Sequence, residues 1–109
     1  MNLSKYLPLT ETTYYILIAL MEPGHGYYVM QKVEELSDGK VRIAAGTMYG
    51  AIDNLVKQKM IASVPSEDKR RKVYQITEQG LEVLKLEVSR LNQLVNVART
   101  RGLEEGMSC

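Results

Sequence analysis

Two groups of residues have types and spacing that could do chemistry. One is a run of four cations, Lys69, Arg70, Arg71 and Lys72; the other is a polar strip of Thr47, Tyr49, Gly50, Asp53, Asn54 and Lys57. The chemistry they suggest is binding rather than bond-making. Adjacent cations neutralise phosphates, Asn offers a paired donor and acceptor that suits an adenine edge, and Thr and Tyr hydroxyls reach phosphates or bases. Catalysis has little to work with. The one histidine, His25, lies between two glycines and reads as a turn residue, and no GxSxG or phosphate-loop pattern is present. His and Cys form no cluster with metal-ligand spacing, so neither an enzyme nor a bound metal or cofactor is expected. Plainer readings stand beside these. Asp53 and Lys57, four residues apart, can simply pair for about 0.3 kcal/mol. The cationic run can be a solvated turn, and Tyr49 a residue at the edge of the core.

The strip needs a helix to carry it. Over residues 46–59, Met48, Ile52 and Leu55 recur at i, i+4 and i+7 and form an anchoring stripe. On the opposite face Gly50 and Lys57 lie at the centre, Gly46, Asp53 and Asn54 beside them, and Thr47 and Tyr49 at the flanks. A glycine inside a helix costs about 1 kcal/mol relative to alanine, so Gly50 suggests close approach by something outside the helix. The cations need a hairpin. Residues 61–64 and 73–76 each read as a strand, and the charged loop 66–72 joins them.

The remaining chain supplies supports for these two elements. Residues 1–9 form an arm ahead of Thr10, which can cap a helix over 11–22 that is apolar nearly all round. After a turn at Pro23, Gly24 and Gly26, a helix over 27–37 turns Val29, Val33 and Leu36 inward. Asp38 and Gly39 make a turn, and Val41, Arg42 and Ile43 alternate as a very short strand would. Thr77 caps the last helix, with Glu78 in its first turn. Along it Leu81, Leu84, Val88, Leu91, Val95 and Ala98 step by threes and fours, the spacing of a coiled-coil seam. At about 1.5 Å per residue this helix runs roughly 35 Å, more than its own domain needs. A homodimer seam is therefore expected, with packing on the chain's own first helix as the alternative.

The expected fold is mainly α with a small β-hairpin: a winged helix-turn-helix domain over residues 1–76, a C-terminal dimerisation helix over 77–101 and a disordered tail over 102–109. Composition agrees with one ordered domain, since 45% of the 109 residues are hydrophobic and 25% charged. The net charge of +1 means that any nucleic-acid contact must come from local clusters. The longest apolar run, residues 14–21, is far short of the roughly 20 residues of a membrane span. A soluble, cytoplasmic protein is expected. Cys109, the one cysteine, cannot form an internal disulfide.

Four segments together resemble the PadR family of bacterial transcriptional regulators, in its small single-domain form. They are LTETTYYILIAL (9–20), EPGHGYYVMQKVEELSDGKV (22–41), GTMYGAIDNLVKQKMI (46–61) and YQITEQG (74–80). The resemblance extends over about residues 9–98, and its first three motifs are the more specific. It implies a dimeric repressor whose recognition helix and wing bind a pseudo-palindromic promoter site on double-stranded DNA. It also implies a small hydrophobic or phenolic effector near the dimer interface, which by position involves Tyr14, Tyr15, Val88, Leu91, Asn92 and Val95. Ordinary interface packing is the other reading of those six. One departure stands out: where relatives commonly carry Gly after the recognition helix, this chain has Lys59, so a left-handed residue there bears a side chain. The competing function is a winged-helix protein-interaction module that does not bind DNA, suggested by the near-neutral charge.

Overall fold

The computed structural model describes residues 2–67 and 70–103. A 3-10 turn at Leu3–Tyr6 precedes helices α1 (Glu11–Ala19), α2 (Gly26–Leu36) and α3 (Ala45–Lys57). Strands β1 (Ile61–Val64) and β2 (Val73–Ile76) follow, then helix α4 (Glu78–Arg99). The strands pair antiparallel with Ile61 opposite Ile76 and Val64 opposite Val73, so the loop between them is the tip of a wing. Both strands fall at the residues expected of them. Thr10 and Thr77 cap α1 and α4 through their hydroxyls, accepting from the N–H groups of Thr13 and Gly80.

One core joins the helices. Ile16, Leu17 and Leu20 from α1 and its end meet Val29 and Val33 of α2, Met48, Ile52 and Leu55 of α3, Met60 and Ile61, and Val83 and Leu84 of α4. The stripe expected on α3 is fully inside. Leu36 is not: as the last residue of α2 it overhangs the core and is 39% exposed. Ser37 is buried in its place, and its hydroxyl accepts from the N–H of Val41.

Two further expectations change for a shared reason. α1 stops at Ala19 instead of residue 22, and residues 41–43 form no strand. The N–H of Gly24 donates to the carbonyl of Tyr74, that of Tyr74 returns a bond to Gly24, and that of Ile76 donates to Leu20. The exposed edge of β2 is thus taken by the connection between α1 and α2. The Leu20 carbonyl and the Gly24 backbone are held by β2, and residues 41–43 find no edge of that strand to join.

Helix α3 ends in a left-handed residue bearing a side chain, as the family resemblance implies. Lys59 has φ 62°, its N–H bonds to Val56, and the N–H of Met60 bonds to Leu55. This is a Schellman closure, with Met60 and Leu55 both buried beneath it. α2 closes in the same way through Asp38 and Gly39. Leu103 and Gly102 close α4, and the rest of the expected disordered tail, Cys109 included, lies outside the described residues.

The junction of α3, β1 and α4 is tight. Thr77 Oγ1 donates to Lys59 O at 2.7 Å, Gln79 Nε2 donates to Gln58 O at 2.8 Å, and the N–H of Thr77 donates to Met60 O. A side chain at Gly80 would place its Cβ 2.1 Å from that same Met60 oxygen. The segment from Thr77 to Gly80 therefore bolts the long helix onto the end of α3.

Candidate nucleic-acid interface

The buried stripe of α3 fixes what its other side presents. Thr47, Tyr49, Gly50, Asp53, Asn54 and Lys57 are all exposed. A Cβ added at Gly46 or Gly50 would meet nothing within 4 Å, so packing inside the chain does not require glycine at either position. Ala44 at the N-cap makes no side-chain cap bond. This leaves the start of α3 lined by small residues, with its N–H groups and positive dipole end facing outward.

The wing stands beside one flank of that helix. A cleft of about 660 Å³ lies between them, lined by His25, Gly26, Tyr27, Tyr49, Asp53, Arg70, Arg71, Lys72 and Tyr74. Tyr49 and the three described cations of the wing are thus brought together, while Thr47, Gly50, Asn54 and Lys57 lie on the open face and outer flank of α3. Lys69 lies outside the described residues. Asp53 and Lys57 form no ion pair with each other, so the simple pairing considered from sequence does not occur. Asp53 instead lends a carboxylate to the cationic cleft.

Two lining residues were not legible as site residues. His25 caps α2, its Nδ1 accepting from the N–H of Tyr28 at 3.2 Å, and its Nε2 lies 3.1 Å from Arg71 Nη1. Tyr27, in the first turn of α2, is 60% exposed. Histidine is not among the favoured caps, and Tyr27 follows no periodic signal, so their roles depend on the fold bringing the wing to α2. Gly26 lets α3 pack closely on the start of α2: a Cβ there would sit 2.9 Å from both Met48 Cε and Tyr49 Cε1.

The C-terminal helix carries a second surface. Of the expected seam, Leu84 is buried in the chain's own core, Leu81, Leu91 and Ala98 are half-buried, and Val88 and Val95 are exposed. Leu86, Leu94 and Val97, outside the expected spacing, are exposed as well. Beyond Leu91 the helix runs past the domain, and the face that buries Val83, Leu84 and Glu87 continues outward through Leu94 and Ala98. Glu87 is 2% exposed; it accepts from the N–H of Leu9 at 2.8 Å and pairs with Arg90. The Arg90 hydrogen bond holds its carboxyl below the usual range, against the opposing effect of burial.

Tyr14 and Tyr15 meet edge to face, with ring centroids 5.7 Å apart. Beside them a depression of about 300 Å³ is lined by Leu9, Glu11, Glu87, Arg90 and Leu91. Asn92 is exposed and does not line it.

Three helices, a two-stranded wing beside the exposed face of the third, and a long terminal helix define a winged helix-turn-helix domain. Residues 16–86 match the transcriptional regulator PadR-like family, and the chain belongs to that family. No match was found among curated protein sequences. A solved transcriptional regulator from Clostridium thermocellum is similar at 24% identity over 85% of this chain and 97% of that one, with a TM-score of 0.71. A PadR family regulator from Eggerthella lenta shares 29% identity over 85% of this chain and 81% of its own, with a TM-score of 0.63. BpsR of Bordetella bronchiseptica, whose DNA binding is regulated by 6-hydroxynicotinic acid, shares 20% identity over 85% of this chain and 69% of its own, with a TM-score of 0.64. No helix among the described residues is long and apolar enough to cross a membrane.

Proposed function

We propose that this chain is a cytoplasmic, homodimeric repressor that binds a pseudo-palindromic promoter site on duplex DNA. One observation carries the proposal: the exposed, glycine-bearing face of α3 and the cations of the wing share one surface. A helix with a thin polar face fits the major groove, about 12 Å wide, and the wing reaches the neighbouring phosphates. Gly46 and Gly50, which nothing inside the chain requires, let the α3 backbone come close to DNA. Asn54 and Thr47 face the bases, while Lys57, Arg70, Arg71, Lys72 and Tyr49 neutralise or bond phosphates. The wing tip, Lys69 among its sequence neighbours, adds charge.

The outward run of Leu91, Leu94, Val95 and Ala98 on α4 supports pairing of two copies, which places two recognition helices on half-sites about 34 Å apart. The domain boundaries follow: residues 1–76 read DNA and 77–101 join the copies. A small hydrophobic or phenolic effector fits the tyrosine-lined depression between α1 and α4, next to that junction. The ligand-controlled DNA binding of BpsR supports this part by likeness of fold.

Binding to the DNA upstream of its own coding region, measured against salt, tests the proposal. A dimer that contacts about 6 to 10 phosphates loses roughly 10³- to 10⁵-fold in affinity between 50 and 200 mM salt. Replacing Arg70, Arg71 and Lys72 with Ala weakens binding to every sequence, whereas Asn54→Ala relaxes preference at particular base pairs. Absence of binding by the intact chain at about 50 mM salt refutes the reading and favours a protein-interaction module.

A further inference from the structure

Two contacts converge on the imidazole of His25. The N–H of Tyr28 points at Nδ1 from 3.2 Å, and Arg71 Nη1 lies 3.1 Å from Nε2. A backbone N–H and a guanidinium can only donate, and a neutral imidazole has one lone pair. One lone pair cannot satisfy two donors. While Nδ1 caps the helix, Nε2 carries the hydrogen and aims a donor at a cation. Protonating the ring removes the remaining lone pair, and the other neutral tautomer gives up the cap. Asp53 lines the same cleft, and the shortage of acceptors lies on the imidazole itself. An acceptor carrying negative charge, beside the pair and within reach of both nitrogens, removes the conflict and keeps the cap.

We propose that His25 and Arg71 clamp one phosphate of duplex DNA, whose oxygen accepts from Nε2–H and from the guanidinium at about 2.8 Å each. This inference rests on the DNA-binding reading above and adds to it a residue outside both the recognition helix and the wing. Duplex backbone suits the site better than a free anion. The cleft is open, and Arg70 and Lys72 line it beside Arg71, as a chain of phosphates requires. The clamp also has a mechanical effect: the phosphate ties the wing, 46 residues away in sequence, to the start of α2. The angle of the wing is then set by the DNA.

The test is binding of a fluorescent duplex of mixed sequence by the intact chain and by His25→Asn, Arg71→Gln and the double variant. Asn caps helices well, so His25→Asn removes Nε2–H and leaves α2 capped; His25→Ser is a second cap-competent variant should the first melt early. Each single change weakens binding roughly 10-fold, the scale of one charge-assisted hydrogen bond. The double variant binds about as the weaker single one does, because both groups act on one oxygen. Arg71→Gln also lowers the slope of log affinity against log salt by about one, and His25→Asn leaves it unchanged. Losses that multiply in the double variant, or binding by both His25 variants equal to that of the parent, overturn the clamp while the DNA reading stands. Failure of the parent chain to bind any duplex overturns both.

Discussion

Replacing Gly80 with alanine sets two effects of opposite sign against each other. In an isolated helix the change gains up to about 1 kcal/mol, since alanine is the better helix former. In the folded chain the new Cβ lies 2.1 Å from Met60 O, 3.0 Å from Met60 C and 2.8 Å from Ile76 Cγ1. Two of these atoms are backbone and cannot swing aside, so α4 must back away from β1 by close to an ångström. That movement pulls on the bonds from Thr77 to Lys59 and Met60 and from Gln79 to Gln58. Overpacking costs about 1–3 kcal/mol, and each weakened hydrogen bond costs up to about 1 kcal/mol more. The clash wins. We expect a net loss of about 2 kcal/mol, which lowers the melting temperature by on the order of 10 °C for a domain of this size. Circular dichroism at one fixed protein concentration measures it, because self-association makes melting concentration-dependent. A variant that melts at or above the parent temperature would show that α4 does not bear on the Met60 carbonyl.

Gly50→Ala tests the contrasting glycine. With no atom within 4 Å, it should raise stability by up to about 1 kcal/mol and weaken duplex binding; equal or tighter binding removes Gly50 from the interface. Leu94 is 54% exposed, so Leu94→Glu should leave the melting of the domain in place yet give monomers in sedimentation. Dimers that persist at micromolar concentration would put the junction elsewhere. Glu87 has a pKa below its ordinary 4.5, so its contribution to stability is fully present above that value and is lost as pH falls through the lower folded value. Acid melts should therefore decline more steeply for the parent than for Glu87→Gln; parallel curves below about pH 4.5 would mean that the carboxylate gains nothing on folding. Arg90 is partly open to water, which screens the pair and keeps this effect modest.

Much of the architecture was legible because it rests on local rules. The 3.6-residue period of Met48, Ile52 and Leu55 orients α3 without knowledge of its neighbours, and Thr10 and Thr77 mark helix starts by capping chemistry. The charged loop over residues 66–72, set between two short strand segments, marks the wing. Lys59 was readable as a left-handed stop only through the family resemblance, which puts a glycine at that place; no local signal of its own marks it. Part of the expected interface was legible on the same grounds: the exposed face of α3 is the complement of its buried stripe.

What could not be read from sequence depends on partners far away along the chain. The carbonyls and N–H groups of Leu20, Gly24, Tyr74 and Ile76 decide where α1 stops and why residues 41–43 stay unpaired, and no local pattern reports a ladder between residues 50 apart. Glu87 reads as a solvated charge on a helix until the Leu9 N–H is folded against it. His25 reads as a turn residue until Arg71 arrives. The sequence by itself determined the elements, their order and the two faces of α3, because side-chain period and capping act within one or two turns. Only the tertiary structure decided that α2, α3 and the wing share one cationic cleft and that Asp53 lines it unpaired with Lys57, because each of these is a distance between segments that the chain's own stiffness does not set.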